Sequence, residues 1–269
     1  MEIDESAAPG AHQRRQRVQA AETCLAVLKA LATLGGRASL TAIGAAVDES
    51  PAKVHRYLAS LVAEGLVEQD RGGTQYALGG EAIRVGLAAM RQSDPIRMAE
   101  PALAYLRESL QVTSFIAVMG NLGPTIVRFE EPSLPVTVNV RAGSVMSMLW
   151  SATGRAFFAF MDEQAQADAL LARELEQAPA DKRAWLDAGD PLGRLRAEIR
   201  AAGCAAIRDT NLPGISAVAA PLFDYTGHVV AVLCALGASG GFDPDPRGPV
   251  ARAVCEQARQ VSVSLGFRA

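Results

Sequence analysis

Two stretches carry the residues best suited to chemistry. In one, Lys53, His55 and Arg56 follow Ser50-Pro51, and Arg71 sits between Asp70 and Gly72-Gly73. Cations on a helix that begins at a serine can meet phosphates, and the helix start adds its own unpaired N–H groups. Pro51 suits the first helical position, where a missing N–H costs nothing. In the other stretch, Met146, Met148 and Trp150 precede Ser151-Ala152-Thr153-Gly154. Folded over a sheet, two thioethers and an indole beside a helix start would line an apolar pocket with N–H groups at one end. The same side chains also fit ordinary core packing. Catalysis finds thinner support. Cys204, Cys234 and Asp209 are candidate nucleophiles, and His228, beside the turn Asp224-Tyr225-Thr226-Gly227, is no evident partner for them.

Metals and nucleotides are not called for. The four cysteines, Cys24, Cys204, Cys234 and Cys255, are widely spaced, and His12, His55 and His228 are scattered without ligand spacing. No Gly-x-Gly-x-x-Gly follows a strand and there is no Walker lysine, so no cofactor is expected. The net charge of −3 excludes a protein that coats nucleic acid, so any DNA contact must be local. No apolar run reaches membrane-span length, and the polar start Met1–Gly10 is not a secretory signal, which favours the cytoplasm and no membrane partner.

The elements that must position these residues follow from periodicity. With 269 residues there is room for two domains. Residues 1–13 read as a disordered N-terminus, followed by the cations Arg14, Arg15 and Arg17. Val18, Ala21, Leu25, Leu28 and Leu31 share a helical spacing predicted to face the core, and Gly35-Gly36 stops that helix. Ser39 is placed to cap a short second helix with Leu40, Ile43 and Val47 inside. Ser50 is placed to cap a third, with Val54, Leu58 and Leu61 inside and Lys53, Arg56 and Ser60 on another face. A hairpin follows, Leu66–Gln69 and Thr74–Leu78 about the turn that holds Arg71. Three helices and a hairpin make a winged helix-turn-helix over residues 14–79, whose third helix suits the major groove. The same modules also serve in dimerisation or protein docking, so a DNA-independent signalling adaptor stays open.

Ile83, Leu87 and Met90 predict a linker helix within residues 80–93, and Asp94-Pro95 breaks the chain. The larger second domain is placed at residues 94–269. Its readings are a helix Pro101–Leu110, strands Thr113–Met119, Thr125–Glu130 and Val136–Val140, and helices after Ser151, from Ala165 and after Asp190. On Thr125–Glu130 the alternation puts Ile126, Arg128 and Glu130 on one face. Strands Cys204–Asp209, Ser216–Phe223 and His228–Gly237 precede a last helix from about Pro249 to Leu265. This order predicts an α+β domain, an antiparallel sheet flanked by helices.

The stretch Ser50-Pro-Ala-Lys-Val-His-Arg-Tyr-Leu, running on to Glu68, with Tyr76-Ala-Leu-Gly, resembles the DNA-binding domain of IclR-type regulators. Val54, His55, Arg56 and Leu58 match the family's pattern, whereas Lys53 stands where Thr is common and Tyr57 where Leu is common. Ser151-Ala-Thr-Gly-Arg-Ala and the run Gly214–Leu233 resemble blocks of its effector domain. The resemblance implies a GAF-like effector domain, a small organic effector, and a homodimer or dimer of dimers on a palindromic operator in double-stranded DNA. It implies DNA contacts from Ser39, Ser50, Ala52, Lys53, His55, Arg56 and Arg71. It implies a pocket from Met146, Met148, Trp150, Ala152, Thr153 and Gly154 with Ile207, Ala217, Cys234 and Leu236. Those last four are apolar apart from the weakly polar thiol, and burying a carboxylate among them costs several kcal/mol unless N–H groups compensate. Amides of Thr153 and Gly154 are the compensation available. The expectation is a hydrophobic or aromatic effector that shifts operator affinity through the linker helix. An enzyme built on the same sheet is the alternative.

Overall fold

A computed structural model describes residues 18–70, 73–132, 140–162, 164–179 and 189–268. The chain divides into two compact units, Met1–Gln92 and Ser93–Ala269. No described helix is long and apolar enough to cross a membrane.

The first unit opens with α1 (Gln19–Thr33), β1 (Arg37–Ser39), α2 (Leu40–Val47) and α3 (Pro51–Ala63). β2 (Val67–Gln69), β3 (Gln75–Leu78) and α4 (Gly80–Gln92) complete it. Its core is Val27, Leu31, Ile43, Val54, Leu58, Leu61, Val67 and Tyr76. The buried stripe of α1 is therefore Cys24, Val27, Leu28 and Leu31, and Val18, Ala21 and Leu25 face solvent. Both stripes have helical spacing, and the neighbouring helices select one of them. β1 adds an antiparallel partner to β3, Ala38 opposite Tyr76, so the wing sheet has three strands in the order β1-β3-β2. Ser39 accepts from the Ala42 amide at 3.2 Å, a cap worth about 1 kcal/mol against alanine. Ser50 holds the capping position of α3, but its side chain makes no capping bond.

In the second unit α5 (Pro95–Leu110) starts six residues earlier than the sequence suggests. Pro95 is not a breaker here. It takes the first helical position, and Asp94 Oδ1 accepts the amides of Ile96 and Arg97 at 3.0 and 3.3 Å. Pro101 then lies inside the helix on an exposed face.

After α5 come β4 (Thr113–Gly120), β5 (Gly123–Glu130), α6 (Ala152–Phe160), α7 (Gln164–Gln177) and α8 (Pro191–Ala202). β6 (Ala205–Arg208), β7 (Ile215–Phe223), β8 (Val229–Ala238) and α9 (Pro249–Ser264) end the unit. The sheet is antiparallel throughout, in the order β5-β4-β8-β7-β6. One face packs α6 against Phe115, Val232 and Cys234. The other packs α5 and α9 against Ile116, Val218 and Leu233. With helices on both faces, β7 and β8 are buried almost throughout and read as continuous apolar runs. A bulge where Ile116 pairs with Arg128 but Ala117 pairs with Ile126 changes the phase of β5. Ile126 enters the α6 core, while Arg128 and Glu130 turn to α5 and pair with Glu100 and Arg107. The expected strand Val136–Val140 lies outside the described residues except for Val140.

Candidate functional site

α3 presents one face to its own core and the other to solvent. Val54, Leu58 and Leu61 are buried; Ala52, His55, Arg56 and Ser60 are exposed. The reason is spacing: positions 54, 58 and 61 stack one above another, and 52, 55, 56 and 60 occupy the opposite arc. Lys53 sits at the border, its Nζ bonded to Glu49 Oε1 at 2.6 Å. That bond holds the ammonium pKa above its ordinary value. A phosphate at this position must compete with a carboxylate already in place. Arg37 Nη1 bonds Asp70 Oδ2 at 3.0 Å and ties β1 to the end of β2 where the wing begins. Arg71 lies outside the described residues.

The second unit holds a small cavity between the start of α6 and the sheet. Phe115, Val140, Met146, Ser151, Ala152, Thr153, Ile207, Asn211, Leu212, Ile215, Ala217, Cys234 and Leu236 line it. The enclosed space is about 20 Å³, room for a single water. The walls are mostly hydrocarbon. Thr153 Oγ1 is buried and meets no oxygen or nitrogen; its neighbour is the Cys234 thiol, a weak partner. Burial pushes that thiol up to about 12.

The loop leading into α6 is held by polar bonds on its far side. Ser147 Oγ donates to Glu174 Oε2 at 2.7 Å, and the Met148 and Leu149 amides donate to Glu174 at 2.5 and 3.0 Å. Ser147 Oγ also accepts from the Trp150 amide at 2.8 Å. Ser151 Oγ donates to Ser147 O and accepts from the Gly154 amide at 2.9 Å, which caps α6. Arg155 Nε donates to Leu149 O at 2.7 Å, and burial lowers this guanidinium to about 10.

Each of the two sites lies in a domain of a known kind. Residues 20–71 match the IclR helix-turn-helix domain, and residues 87–263 match the bacterial transcriptional regulator IclR C-terminal domain. The chain belongs to the IclR family. It is 28% identical over 256 residues to the HTH-type transcriptional regulator BhcR of Paracoccus denitrificans, covering 93% of this chain and 88% of that one. It is 26% identical over 252 residues to the repressor AllR of Escherichia coli K12, covering 93% and 92%. The crystal structure of Pseudomonas aeruginosa HmgR superposes with a TM-score of 0.82 at 38% identity, covering 94% of this chain and all of that one. Agobacterium tumefaciens BlcR, at 16% identity and a TM-score of 0.73, shares the fold. This IclR-family protein is a DNA-binding transcription regulator, not an enzyme.

The candidate nucleophiles of the enzyme alternative are structural in the regulator. Cys204 is buried next to Cys255, and Cys234 is sealed beside Thr153. Asp209 accepts from Gly214 N and Ser239 Oγ, both at 2.7 Å. His228 is exposed, bonded to Thr226 Oγ1 at 2.7 Å and near Asp162 at 3.5 Å.

Of the residues expected around the ligand, the fold brings Met146, Ala152, Thr153, Ile207, Ala217, Cys234 and Leu236 to one cavity. Met148, Trp150 and Gly154 are elsewhere. Met148 and Trp150 pack into the α6 core. Gly154 lies against the loop: a Cβ there would come within 2.5 Å of Met148 O. Its amide is already taken by Ser151, so it offers nothing to a ligand. Sequence reasoning missed Phe115, Val140, Ser151, Asn211, Leu212 and Ile215 as lining residues, and Glu174 as the support of residues 147–149. The strand alternation that selects Ala217 also selects Ile215, two residues earlier on the same face. No local pattern marks Glu174.

Proposed function

We propose that the regulator binds a palindromic operator as a dimer through the exposed face of α3, and that the α6 cavity takes a hydrophobic or aromatic effector with one hydrogen-bonding group. The effector reading is carried by one observation: in a wall of hydrocarbon, the Thr153 hydroxyl is buried without an oxygen or nitrogen partner. An unpaired buried donor favours a ligand that satisfies it. A small carboxylate is poorly served. The amides of Met148 and Leu149 are spent on Glu174 and that of Gly154 on Ser151, which leaves the first two amides of α6. Cavities that take benzene measure about 150 Å³, so the lining side chains must move apart on entry.

Ser39, Ser50, Ala52, Lys53, His55, Arg56 and Arg71 are proposed DNA contacts. Arg56 contributes most among the α3 cations, because Lys53 is partly neutralised by Glu49. The dimer reading rests on α4, which buries none of its residues and exposes Ile83, Leu87 and Met90, 62%, 45% and 45% open, on one helical face. Such a stripe fits a second copy of itself, with half-sites about one DNA turn apart or a multiple of it. A chain that works on operators belongs in the cytoplasm.

Two measurements test this. Binding to the chain's own upstream DNA should be sequence-preferring and should weaken steeply with salt; indifference to sequence rejects the operator reading. In a thermal-shift screen, phenol-like compounds should stabilise the protein saturably. Stabilisation by glyoxylate-like acids alone would reject the apolar effector.

A further inference from the structure

The pocket loop reaches the sheet along only part of its length. Ser144 O accepts the Ile126 amide at 2.9 Å and the Met146 amide reaches Pro124 O at 2.7 Å, which pins residues 144–146 to β5. Past Met146 the donors turn away from the sheet. Ser147 Oγ and the amides of Met148 and Leu149 converge on one carboxylate, Glu174 of α7, which does not line the cavity. Both oxygens are used: Oε1 by Met148, Oε2 by Leu149 and Ser147. Ser147 passes the constraint on, since its carbonyl accepts from Ser151 Oγ at 2.5 Å and Ser151 in turn caps α6 through the Gly154 amide. The chain of bonds ends at the helix start that carries Thr153, the polar point of the cavity.

Resting on the reading of this cavity as an effector site, we propose that Glu174 is its positioning residue, an anion supplied by the protein that fixes residues 147–149 and through them the wall facing the ligand. A carboxylate meets these three donors without conflict because it only accepts. Glutamine has the same size but a single acceptor oxygen, so Glu174→Gln sets an NH₂ against an N–H or O–H donor. A wall held before the ligand arrives costs less ordering on binding, and affinity depends on that.

The test uses the full-length chain. In ligand-free protein, Glu174→Gln should speed hydrogen exchange at the Met148 and Leu149 amides by about tenfold or more, with the amides of β7 and β8 unchanged. Phenol binding, followed by Trp150 emission in a Trp185→Phe background, should weaken by about tenfold. Ser147→Ala, which keeps both amide bonds, should speed exchange at Trp150 more than at Met148 or Leu149. It guards against a Glu174→Gln variant that fails to fold. Unchanged exchange at Met148 and Leu149 in Glu174→Gln overturns the proposal, and so does faster exchange with phenol affinity intact. If phenol fails to bind the unaltered chain, the aromatic effector reading falls, and the exchange measurement still decides whether Glu174 holds the loop.

Discussion

Replacing Gly154 with alanine separates two roles for this residue. As a ligand neighbour, which the family resemblance implies, it would tolerate a methyl group with a loss of affinity and little change in stability. As the contact between α6 and the loop, it would not. An added Cβ would stand 2.5 Å from Met148 O, against ordinary contact from 3.4 Å, and closer still to Ser147 O and the Met148 Cα. Helix and loop must therefore part by at least 0.9 Å, the difference between those two distances. All the close atoms belong to the backbone, so no side chain can rotate to make room. Overpacking of this kind costs about 1–3 kcal/mol. The same displacement stretches the bonds to Glu174, and hydrogen bonds to a charged group are worth about 1.5–3 kcal/mol each. A total of about 3 kcal/mol or more lowers the melting temperature of a domain this size by about 6–12 °C. Scanning calorimetry on the full chain should show that drop in the transition of the unit Ser93–Ala269, with the transition of Met1–Gln92 unmoved. A shift under about 2 °C, with effector binding lost, would return Gly154 to the ligand and refute the packing argument.

Three further outcomes are expected. Arg56→Ala should weaken operator binding at moderate salt and reduce the slope of log affinity against log salt by about one, while Glu49→Gln, which releases Lys53, should strengthen it; anisotropy titrations across salt concentrations read both, and an unchanged slope misplaces α3. Leu87→Glu should turn a dimer into a monomer by sedimentation velocity and cost operator affinity, and a dimer that persists would remove α4 from the interface. Burial raises the Cys234 thiol from 9.0 in the unfolded chain to about 12. Below pH 9 both states hold the proton and the group adds no pH dependence. Between 9 and 12 only the unfolded chain releases it, so stability falls as pH rises, and Cys234→Val should flatten that fall in urea midpoints measured at pH 8 and 10.5. Equal slopes in the two proteins would show that the thiol is not sealed.

What could be read from the sequence divides by the range of the interactions. Ser39, Pro51 and the 54-58-61 stripe are legible because caps and helical spacing act within one turn. Pro95 is ambiguous in sequence because the same residue can end one element or start another, and only the Asp94 side chain settles which. The stripe of α1 had two phases of equal quality, and packing against α2 and α3 chose between them. On β5 the bulge opposite Ile116 and Ala117 shifts every side chain beyond it, and alternation cannot register an inserted residue. Around the cavity, strand positions such as Ala217 and Leu236 follow the period of two, whereas Asn211 and Leu212 enter from an irregular segment that has no period.

Glu174 shows what lies beyond such reading, and it bears on selectivity. The sequence offers the helix-start amides of Thr153 and Gly154 to an effector, whereas the anion site the structure adds is made by the loop amides of Met148 and Leu149. In the fold they already hold a carboxylate, contributed from 25 residues downstream of Leu149. A small acid in the cavity finds those donors taken and only the first two amides of α6 open, so its carboxylate is left short of hydrogen bonds among hydrocarbon walls. An apolar ring leaves that arrangement intact, gains from removing hydrocarbon from water, and needs only a single group for the Thr153 hydroxyl. By meeting its own anion requirement, the protein shifts discrimination to shape and one hydrogen bond.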